Sequence, residues 1–271
     1  MENSRCAARG LVLLGCGKMG TAMLQGWLAQ GLPHSSVWVI DPHPSDWLRE
    51  SGVHLNVDLP AHPAVVLVAV KPQMMAEALP TLKAMGSGDT VFVSVAAGVT
   101  IAYFEDILGP ATPIVRAMPN TPAAISQGVT AITGNAQAGT AALTEAEDLL
   151  RAVGDVVRVE QEALIDAVTG VSGSGPAYVF HLIETMASAG EAEGLPPEIA
   201  MQLAKATVAG AGALAMAAAE SPAQLRVNVT SPNGTTQAAL EVLMDEKDGF
   251  PALVARAVKA ATDRSRELAN G

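Results

Sequence analysis

Apolar residues in the first 160 positions of the chain fall into short continuous runs, and longer stretches of helical periodicity separate them. Continuous β-branched runs of this length are typical of strands buried on both faces of a parallel sheet. The runs predict strands at 11–14, 37–40, 65–70, 91–95, 114–115, 129–132 and 156–159. The intervening stretches predict helices at 19–30, 45–51, 74–85 and 144–152, the last beginning with a capping box of Thr144 and Glu147. This alternation predicts a doubly wound α/β sheet in residues 1–160.

After about residue 160 the strand pattern stops and helical periodicity takes over. Helices are predicted at 177–193, 197–220, 236–245 and 251–270. Residues 206–219 are mostly alanine and glycine and are apolar on every face, so we expect this helix to be buried between subunits. The stretch is too short for a membrane span, which needs roughly 20 strongly apolar residues. The sequence therefore predicts an all-α dimerisation domain in residues 161–271.

Composition and charge exclude several classes of protein. The chain has 271 residues, 49% hydrophobic and 16% charged, which is typical of a soluble globular protein and not of a disordered or collagen-like chain. Its 16 Lys and Arg against 27 Asp and Glu give a net charge of −11. Nucleic-acid binding and membrane anchoring both need clustered positive charge, so neither is expected. Cys6 and Cys16 are too few for a disulfide framework or a zinc site, which favours a reducing cytoplasm and no metal.

A glycine-rich turn follows the first predicted strand and opens the first predicted helix. It matches the pattern GxGxxG and consists of Gly15, Cys16, Gly17, Lys18, Met19 and Gly20. In a dinucleotide-binding turn the first glycine permits the tight turn, the second lets the backbone approach the pyrophosphate, and the third allows close helix–strand packing. The helix N-terminus adds free N–H groups and a positive dipole end. The motif in this context predicts a Rossmann dinucleotide site, with glycines of an ordinary strand–helix turn as the alternative.

Asp41 ends the second predicted strand, about 20 residues after the glycine turn. At that position a carboxylate can accept hydrogen bonds from both hydroxyls of an adenosine ribose, and it would repel a 2′-phosphate. Asp41 by itself therefore favours NADH over NADPH. The alternative is that Asp41 only starts a turn before Pro42, a common use of this pair of residues. The nearby His43 would soften the discrimination.

Three further strand ends reach the same carboxyl edge of the predicted sheet, where ligands bind in open α/β proteins. The third strand is followed by Lys71, which is either a cofactor contact or a solvated loop lysine. Small residues and prolines after the fourth and fifth strands would form a close-fitting wall for a nicotinamide. The residues assigned to the cofactor at these ends are Ala69, Val70, Lys71, Pro72, Ala96, Ala97, Gly98 and Asn120.

Two predicted helices in the second half begin with loops suited to an anion. Ser174 and Gly175 precede one helix, and residues 230–237 precede another. Each loop offers hydroxyls and backbone N–H groups at a positive helix end, which would suit a substrate carboxylate, or it simply caps its helix. Neither loop contains His, Cys, Lys or a carboxylate, so a substrate that arrives already activated, such as a protonated imine, is favoured. His181 lies one turn into the first of these helices and is expected to be packed core.

These motifs closely resemble the pyrroline-5-carboxylate reductase family, and the resemblance covers nearly the whole chain. It rests on GCGKMG at 15–20, AVKPQ at 69–73, VAAG at 95–98, RAMPNTP at 116–122, DAVTGVSGSGPAY at 166–178 and VTSPNGTT at 229–236. The last three motifs in this order are highly specific. The resemblance implies NAD(P)H-dependent reduction of L-1-pyrroline-5-carboxylate to L-proline, the final step of proline biosynthesis.

The resemblance also implies roles for individual residues and an assembly. The catalytic candidates are Thr236, near the ring nitrogen, and Ser231. The substrate carboxylate would be held by Ser231, Asn233, Gly234, Thr235 and Thr236, and the loop of Ser174 and Gly175 is a further substrate candidate. Gly15, Gly17, Gly20, Lys71 and Ala97 would line the cofactor. Members of the family are typically homodimers joined by the helical domain, often five of them forming a decamer.

Two positions depart from the family pattern. Asn233 replaces the first of two glycines, and asparagine tolerates a left-handed backbone next best after glycine. Asp41 stands where many members have Ser or Asn-Arg. Of the properties that the resemblance implies, the preference for NADH or NADPH is therefore the least transferable to this chain. Two other functions fit parts of the sequence: a β-hydroxyacid dehydrogenase, whose helical acid/base lysine is missing from the helix after Gly175, and a non-catalytic NAD(H)-binding regulator, which would show no turnover with any imine acid.

Overall fold

The computed structural model describes residue 1 and residues 4–270, and the chain divides into two compact units. The first unit comprises residues 1–173 together with the chain from Ala261 onward, and the second comprises Ser174–Ala260. The first unit therefore extends beyond the predicted boundary at residue 160, and it also takes in the C-terminal end of the chain.

The first unit is built on one eight-stranded sheet with the strand order β3-β2-β1-β4-β5-β6-β7-β8. The strands are β1 Leu11–Leu14, β2 Val37–Ile40, β3 His54–Leu55, β4 Val65–Val68, β5 Val91–Ser94, β6 Ile114–Met118, β7 Gly128–Gly134 and β8 Gly154–Arg158. The order of the first six is that of a dinucleotide-binding Rossmann sheet, with a switch point between β1 and β4. Strands β1 and β4 are fully buried, as their continuous apolar runs predict.

Strand β7 runs antiparallel to β6, whereas the sequence pattern predicted parallel strands throughout. The connection between them, residues 119–127, holds only the short 3₁₀ turn Thr121–Ile125. A parallel return needs a crossover of about a dozen residues or more, usually a helix, so this connection is too short for one. The antiparallel direction therefore follows from the length of the connection. Strand β8 is parallel to β7.

Helices cover both faces of the sheet. In this unit they are α1 Arg5–Arg9, α2 Lys18–Ala29, α3 Asp46–Glu50, α4 Met75–Ala78, α5 Ile101–Leu108, α6 Gly139–Leu150 and α7 Leu164–Val168. Helix α7 continues into a single π-helical turn, Thr169–Gly173. The apolar residues form one buried cluster on each face of the sheet. Trp27 on α2 is fully buried, and its indole Nε1 donates to the carbonyl of Leu149 at 2.9 Å, which joins α2 to α6.

The predicted capping box at Thr144 is wrong, because α6 begins five residues earlier at Gly139. Asn135 stabilises the turn that leads into the helix, because its side-chain oxygen accepts a hydrogen bond from the backbone N–H of Ala138 at 3.0 Å. Thr144 and Glu147 lie inside α6 and bind Arg158 on β8 instead. The two residues therefore connect α6 to β8 through Arg158 and do not cap the start of a helix.

The second unit contains helices with little core of their own. They are α8 Gly175–Ala192, α9 Pro197–Ala217, α10 Pro222–Asn228, α11 Thr235–Leu243 and α12 Phe250–Asn270, the last of which ends in the first unit. Helices α8 and α9 pack against each other over a small cluster of Ala187, Ala200 and Ala204. Helix α9 is long and apolar enough to cross a membrane by length and composition, yet only 11% of its most apolar window is buried. Its exposed apolar surface needs a partner.

Candidate active site

The glycine turn after β1 has the geometry that a dinucleotide requires. Gly15 has φ +87°, and a Cβ atom there would lie 2.9 Å from Cγ1 of Val70. A Cβ atom on Gly20 would lie 2.6 Å from the carbonyl oxygen of Gly15, so α2 packs against the turn only because Gly20 has no side chain. Gly17 is exposed, and a Cβ atom there would meet no heavy atom within 4 Å. Gly17 is also the N-cap of α2 and leaves the first N–H groups of the helix without a side-chain cap. These features fit a pyrophosphate resting on the turn.

The side chain of Asp41 is attached to this turn. One carboxylate oxygen accepts from the backbone N–H of Cys16 at 2.7 Å, and the other accepts from the N–H of His43 at 2.8 Å. Asn56, which has φ +52°, uses its side-chain amide to bind both the N–H and the carbonyl of Asp41. Asp41 therefore starts the local turn at Pro42 and also contacts the glycine turn. Each carboxylate oxygen can accept a second hydrogen bond, so the ribose role stays a prediction.

Cys16 is buried in the turn, and its thiol is unreactive. Burial raises the pKa of its thiol, and the hydrogen bond with Thr21 only partly opposes this shift. A protonated thiol is a poor nucleophile. Since the backbone N–H of Cys16 is taken by Asp41, the residue supports the turn and exposes no free amide to a ligand.

The ends of β4 and β5 lie at the same carboxyl edge as the glycine turn. The N–H of Ala69 continues the sheet to the carbonyl of Leu14 at 2.8 Å. Lys71 and Pro72 are exposed just beyond, as is Ala97, whereas the side chain of Ala96 is buried. The structure therefore brings Val70, Lys71, Ala97 and Gly98 to one edge with the glycine turn, and leaves Ala96 as packing beneath it.

Asn120, two residues after the end of β6, forms hydrogen bonds through its side chain with two neighbours in the first unit. Its side-chain oxygen accepts from the N–H of Val129 at 2.9 Å, and its amide nitrogen donates to Oγ of Ser172 at 3.3 Å. A Cβ atom on Gly173 would also lie 2.5 Å from Cε of Met118. Asn120 thus ties the end of β6 to the π-helical turn before α8. The sequence motif contains Ser172 but did not predict this bond, because a contact between distant segments is not visible in a local pattern.

The two predicted substrate loops both stand at uncapped helix starts in the second unit. Ser174 is the N-cap of α8 and Gly234 is the N-cap of α11, and neither gives its helix a side-chain cap. Asn233 has φ +57°, so the left-handed backbone considered from the sequence is present. Its N–H donates to Oε1 of Gln237 at 2.8 Å, which fixes the loop. Thr235 and Thr236 begin α11 with hydroxyls available beside free helical N–H groups.

His181 is not packed core in the chain: 75% of its side-chain surface is exposed, and it pairs with Glu184 at 3.2 Å. Within the described residues of this unit, the extensive helix packing joins α8 to α9, and α11 has no comparable contact with either. Within this unit, the helices of one chain therefore do not enclose the loops at residues 174–175 and 231–236. No group of three or more His, Cys, Asp or Glu that could hold a metal occurs among the described residues.

A Rossmann sheet with a dinucleotide turn, followed by a poorly covered helical unit, defines an NAD(P)-dependent oxidoreductase with a helical dimerisation domain. A family model described as pyrroline-5-carboxylate reductase dimerisation matches residues 162–268. A second model, described as NADP oxidoreductase coenzyme F420-dependent, matches residues 11–98.

Whole-chain comparisons agree with both models. Pyrroline-5-carboxylate reductase of Pseudomonas aeruginosa is 41% identical over 265 residues, which cover 96% of each chain. The solved structure of the Coxiella burnetii reductase is 36% identical with a TM-score of 0.90, covering 96% of this chain and 98% of that one. The Plasmodium falciparum reductase, solved with NADP bound, is 27% identical with a TM-score of 0.84 and covers 99% of each chain. The chain belongs to the pyrroline-5-carboxylate reductase family.

Proposed function

We infer that the enzyme reduces L-1-pyrroline-5-carboxylate to L-proline with NAD(P)H, the final step of proline biosynthesis. The single observation that carries this inference is the glycine turn, with Gly15 at φ +87° and open space at Gly17, in a chain that is 41% identical to a pyrroline-5-carboxylate reductase over 96% of its length. The absence of a catalytic acid or base from the helix-start loops fits the chemistry, because a protonated imine is already an electrophile.

The residues of the chain act by holding the reactants. Bound NAD(P)H supplies a hydride to the imine carbon, and the imine nitrogen becomes the amine of proline. Ser231 and the start of α11 would bind the carboxylate through hydroxyls and N–H groups, with Thr236 near the ring nitrogen. Positioning of this kind is sufficient for a large rate enhancement, since well-oriented reactants can gain about 7–11 kcal/mol over free encounter.

The dimerisation family model covers the helical domain, so the enzyme is a homo-oligomer joined through that domain. We propose that the unit is a homodimer and that five dimers form a decamer. Exposed apolar residues such as Leu203, Leu214 and Met216 on α9 support a second copy as the partner of this surface. We also propose a cytoplasmic location, supported by two free cysteines that are both buried.

Steady-state oxidation of NADH and of NADPH by the purified protein with L-1-pyrroline-5-carboxylate tests the function. We expect proline to form in a 1:1 ratio with oxidised cofactor. Oxidation of neither cofactor, in a protein that still binds them, would instead indicate a nucleotide-binding regulator.

A further inference from the structure

The C-terminal end of α12 belongs to the nucleotide-binding unit, although the helix begins in the helical unit. Thr262 and Ser265 on this end are buried, with 7% and 4% of their surfaces exposed. Oγ of Ser265 donates a hydrogen bond of 2.7 Å to Oδ1 of Asp166 on α7. Buried polar groups in such a bond are costly to leave unpaired. The last turns of α12 are therefore seated firmly in the first unit.

The same end of α12 touches the loop after β5, which carries Ala96, Ala97 and Gly98. Gly98 has φ +74°, and a Cβ atom on it would lie 3.0 Å from Cβ of Leu268. That distance is tighter than most Cβ contacts, so a methyl group added at Gly98 would require the loop or the helix end to shift by a few tenths of an ångström. The position of Gly98 and the position of Leu268 are coupled as a result.

The loop is anchored a second time where α5 begins. Oε1 of Glu162 accepts from the N–H of Ile101, the first residue of α5, at 2.9 Å, and from Nη1 of Arg116 at 2.7 Å. Arg116 is only 4% exposed, and a charge this buried needs its partner. Arg116, Glu162 and Asp166 line one cavity of about 220 Å³. The segment from Glu162 to Asp166 thus contacts both the start of α5, through Ile101, and the end of α12, through Ser265.

We propose that the end of α12, residues 262–268, is a positioning element for the cofactor loop at residues 96–98. Ser265 and Asp166 hold the helix end in place, and Leu268, through its contact with Gly98, limits the positions that the loop can adopt. The inference rests on the proposed function, because the role of this loop toward NAD(P)H comes from the family resemblance.

The first experiment separates positioning from stability. Ser265→Ala and Asp166→Asn each remove the bond that seats the helix, outside the residues assigned to the cofactor. We expect the Kd for NADH, measured by its fluorescence, to rise about threefold to tenfold, which corresponds to the loss of one buried hydrogen bond. Turnover at saturating cofactor should change less than twofold. A fall in Tm with an unchanged Kd would mean a merely structural role and would overturn the proposal.

The second experiment is a double-mutant cycle between the loop and the helix. Gly98→Ala should weaken NADH binding about tenfold in the wild-type background and less than about threefold in a Leu268→Gly background, because the close contact is then gone. Gly31→Ala is the matched control: it has φ +83° and no heavy atom within 4 Å of the added Cβ, so it carries the backbone strain without the contact.

The outcomes of the cycle are distinguishable. An equal rise in the Kd for NADH on Gly98→Ala in both backgrounds would overturn the coupling between loop and helix, while the assignment of the loop to the cofactor would still hold. An unchanged Kd in Gly98→Ala would overturn both the loop assignment and the inference that rests on it. Normal NADH binding without turnover of the imine acid would reject the proposed reaction, while relief of the Gly98→Ala defect by Leu268→Gly would still support the positioning role.

Discussion

At the scale of one residue, we expect Asp41 to bear most on the choice between NADH and NADPH. Its two carboxylate oxygens accept from Cys16 and His43, so Asp41 is the turn residue that the sequence offered as one interpretation, and its contact with the ribose stays a prediction. A carboxylate oxygen has room for a further hydrogen bond from a ribose hydroxyl. A 2′-phosphate in the same place would meet a negative charge. We therefore propose that NADH is used at least as well as NADPH.

Replacing Asp41 by serine should shift use toward NADPH. Removal of a like charge near the surface is worth about 1–3 kcal/mol, so the ratio of kcat/KM for NADPH to that for NADH should rise about 5- to 150-fold. Asp41→Asn is the control for the hydrogen bond to Cys16, because it removes the charge and keeps one acceptor oxygen for Cys16, although the bond from the N–H of His43 is then lost. A wild-type preference for NADPH above about tenfold, or an unchanged ratio in both variants, would contradict this interpretation.

Thr236 provides a second prediction at the residue scale. Thr236→Val keeps the shape of the side chain and removes one hydrogen bond to a charged substrate, which should cost about 1.5–3 kcal/mol, or 10- to 150-fold in kcat/KM. The Kd for NADH should stay near the wild-type value. Thr140→Val, on the exposed face of α6, is the control for threonine replacement. Weakened NADH binding with unchanged substrate kinetics would show that Thr236 contacts the cofactor and that its assignment to the substrate is wrong.

At the scale of elements, the junction of β1 and α2 separates two roles of glycine. Gly20 is packed against the carbonyl of Gly15, whereas Gly17 faces open space. Gly20→Ala should destabilise the fold by about 1–3 kcal/mol, because the added methyl group forces α2 away from the turn. Gly17→Ala should leave Tm near wild type and still weaken NADH binding, since its methyl group enters the space assigned to the pyrophosphate. Equal Tm values for the two variants in a thermal melt would argue against this division.

Periodicity predicted the elements with the strongest patterns, and local chemistry decided the others. The central strands and the long helices α2, α8, α9 and α12 lie within a few residues of their predicted bounds. Helix α6 was predicted to start too late because Thr144 and Glu147 imitate a capping box while binding Arg158. The predicted helix at 74–85 is mostly 3₁₀ after Leu79, where Pro80 cannot continue an α-helix.

The candidate site was predictable where backbone chemistry depends on residue type alone. Glycine at positions 15, 17 and 20 and asparagine at 233 report backbone requirements directly, and the structure has the corresponding geometry. Contacts between distant segments are different. The bonds of Asn120 with Ser172 and of Asn56 with Asp41 depend on how the fold brings the chain together, so no local pattern indicates them.

At the scale of the whole molecule, the two units are stabilised unequally. The nucleotide-binding unit buries large side chains on both faces of its sheet, while the buried cluster of the helical unit consists of three alanines. Apolar side chains on α8 and α9, such as Phe180 and Leu203, are more than half exposed in the chain. A soluble protein rarely leaves so much apolar surface uncovered, which is why the helical unit requires a second copy.

A charge placed on α9 tests this requirement. Ala213 is exposed in the single chain and lies in the stretch at residues 206–219 that we expect to be buried between subunits. Ala213→Glu would bury an unpaired carboxylate at that interface, at a cost of several kcal/mol, so the oligomer should dissociate or the protein should lose stability. Ala84→Glu, at an exposed position of the nucleotide-binding unit, is the control and should sediment like the wild type. Because the helices of a single helical unit do not enclose its substrate loops, we also expect loss of the oligomer to abolish turnover while NADH binding persists. A stable, active monomer in sedimentation velocity would show that the helical unit needs no partner.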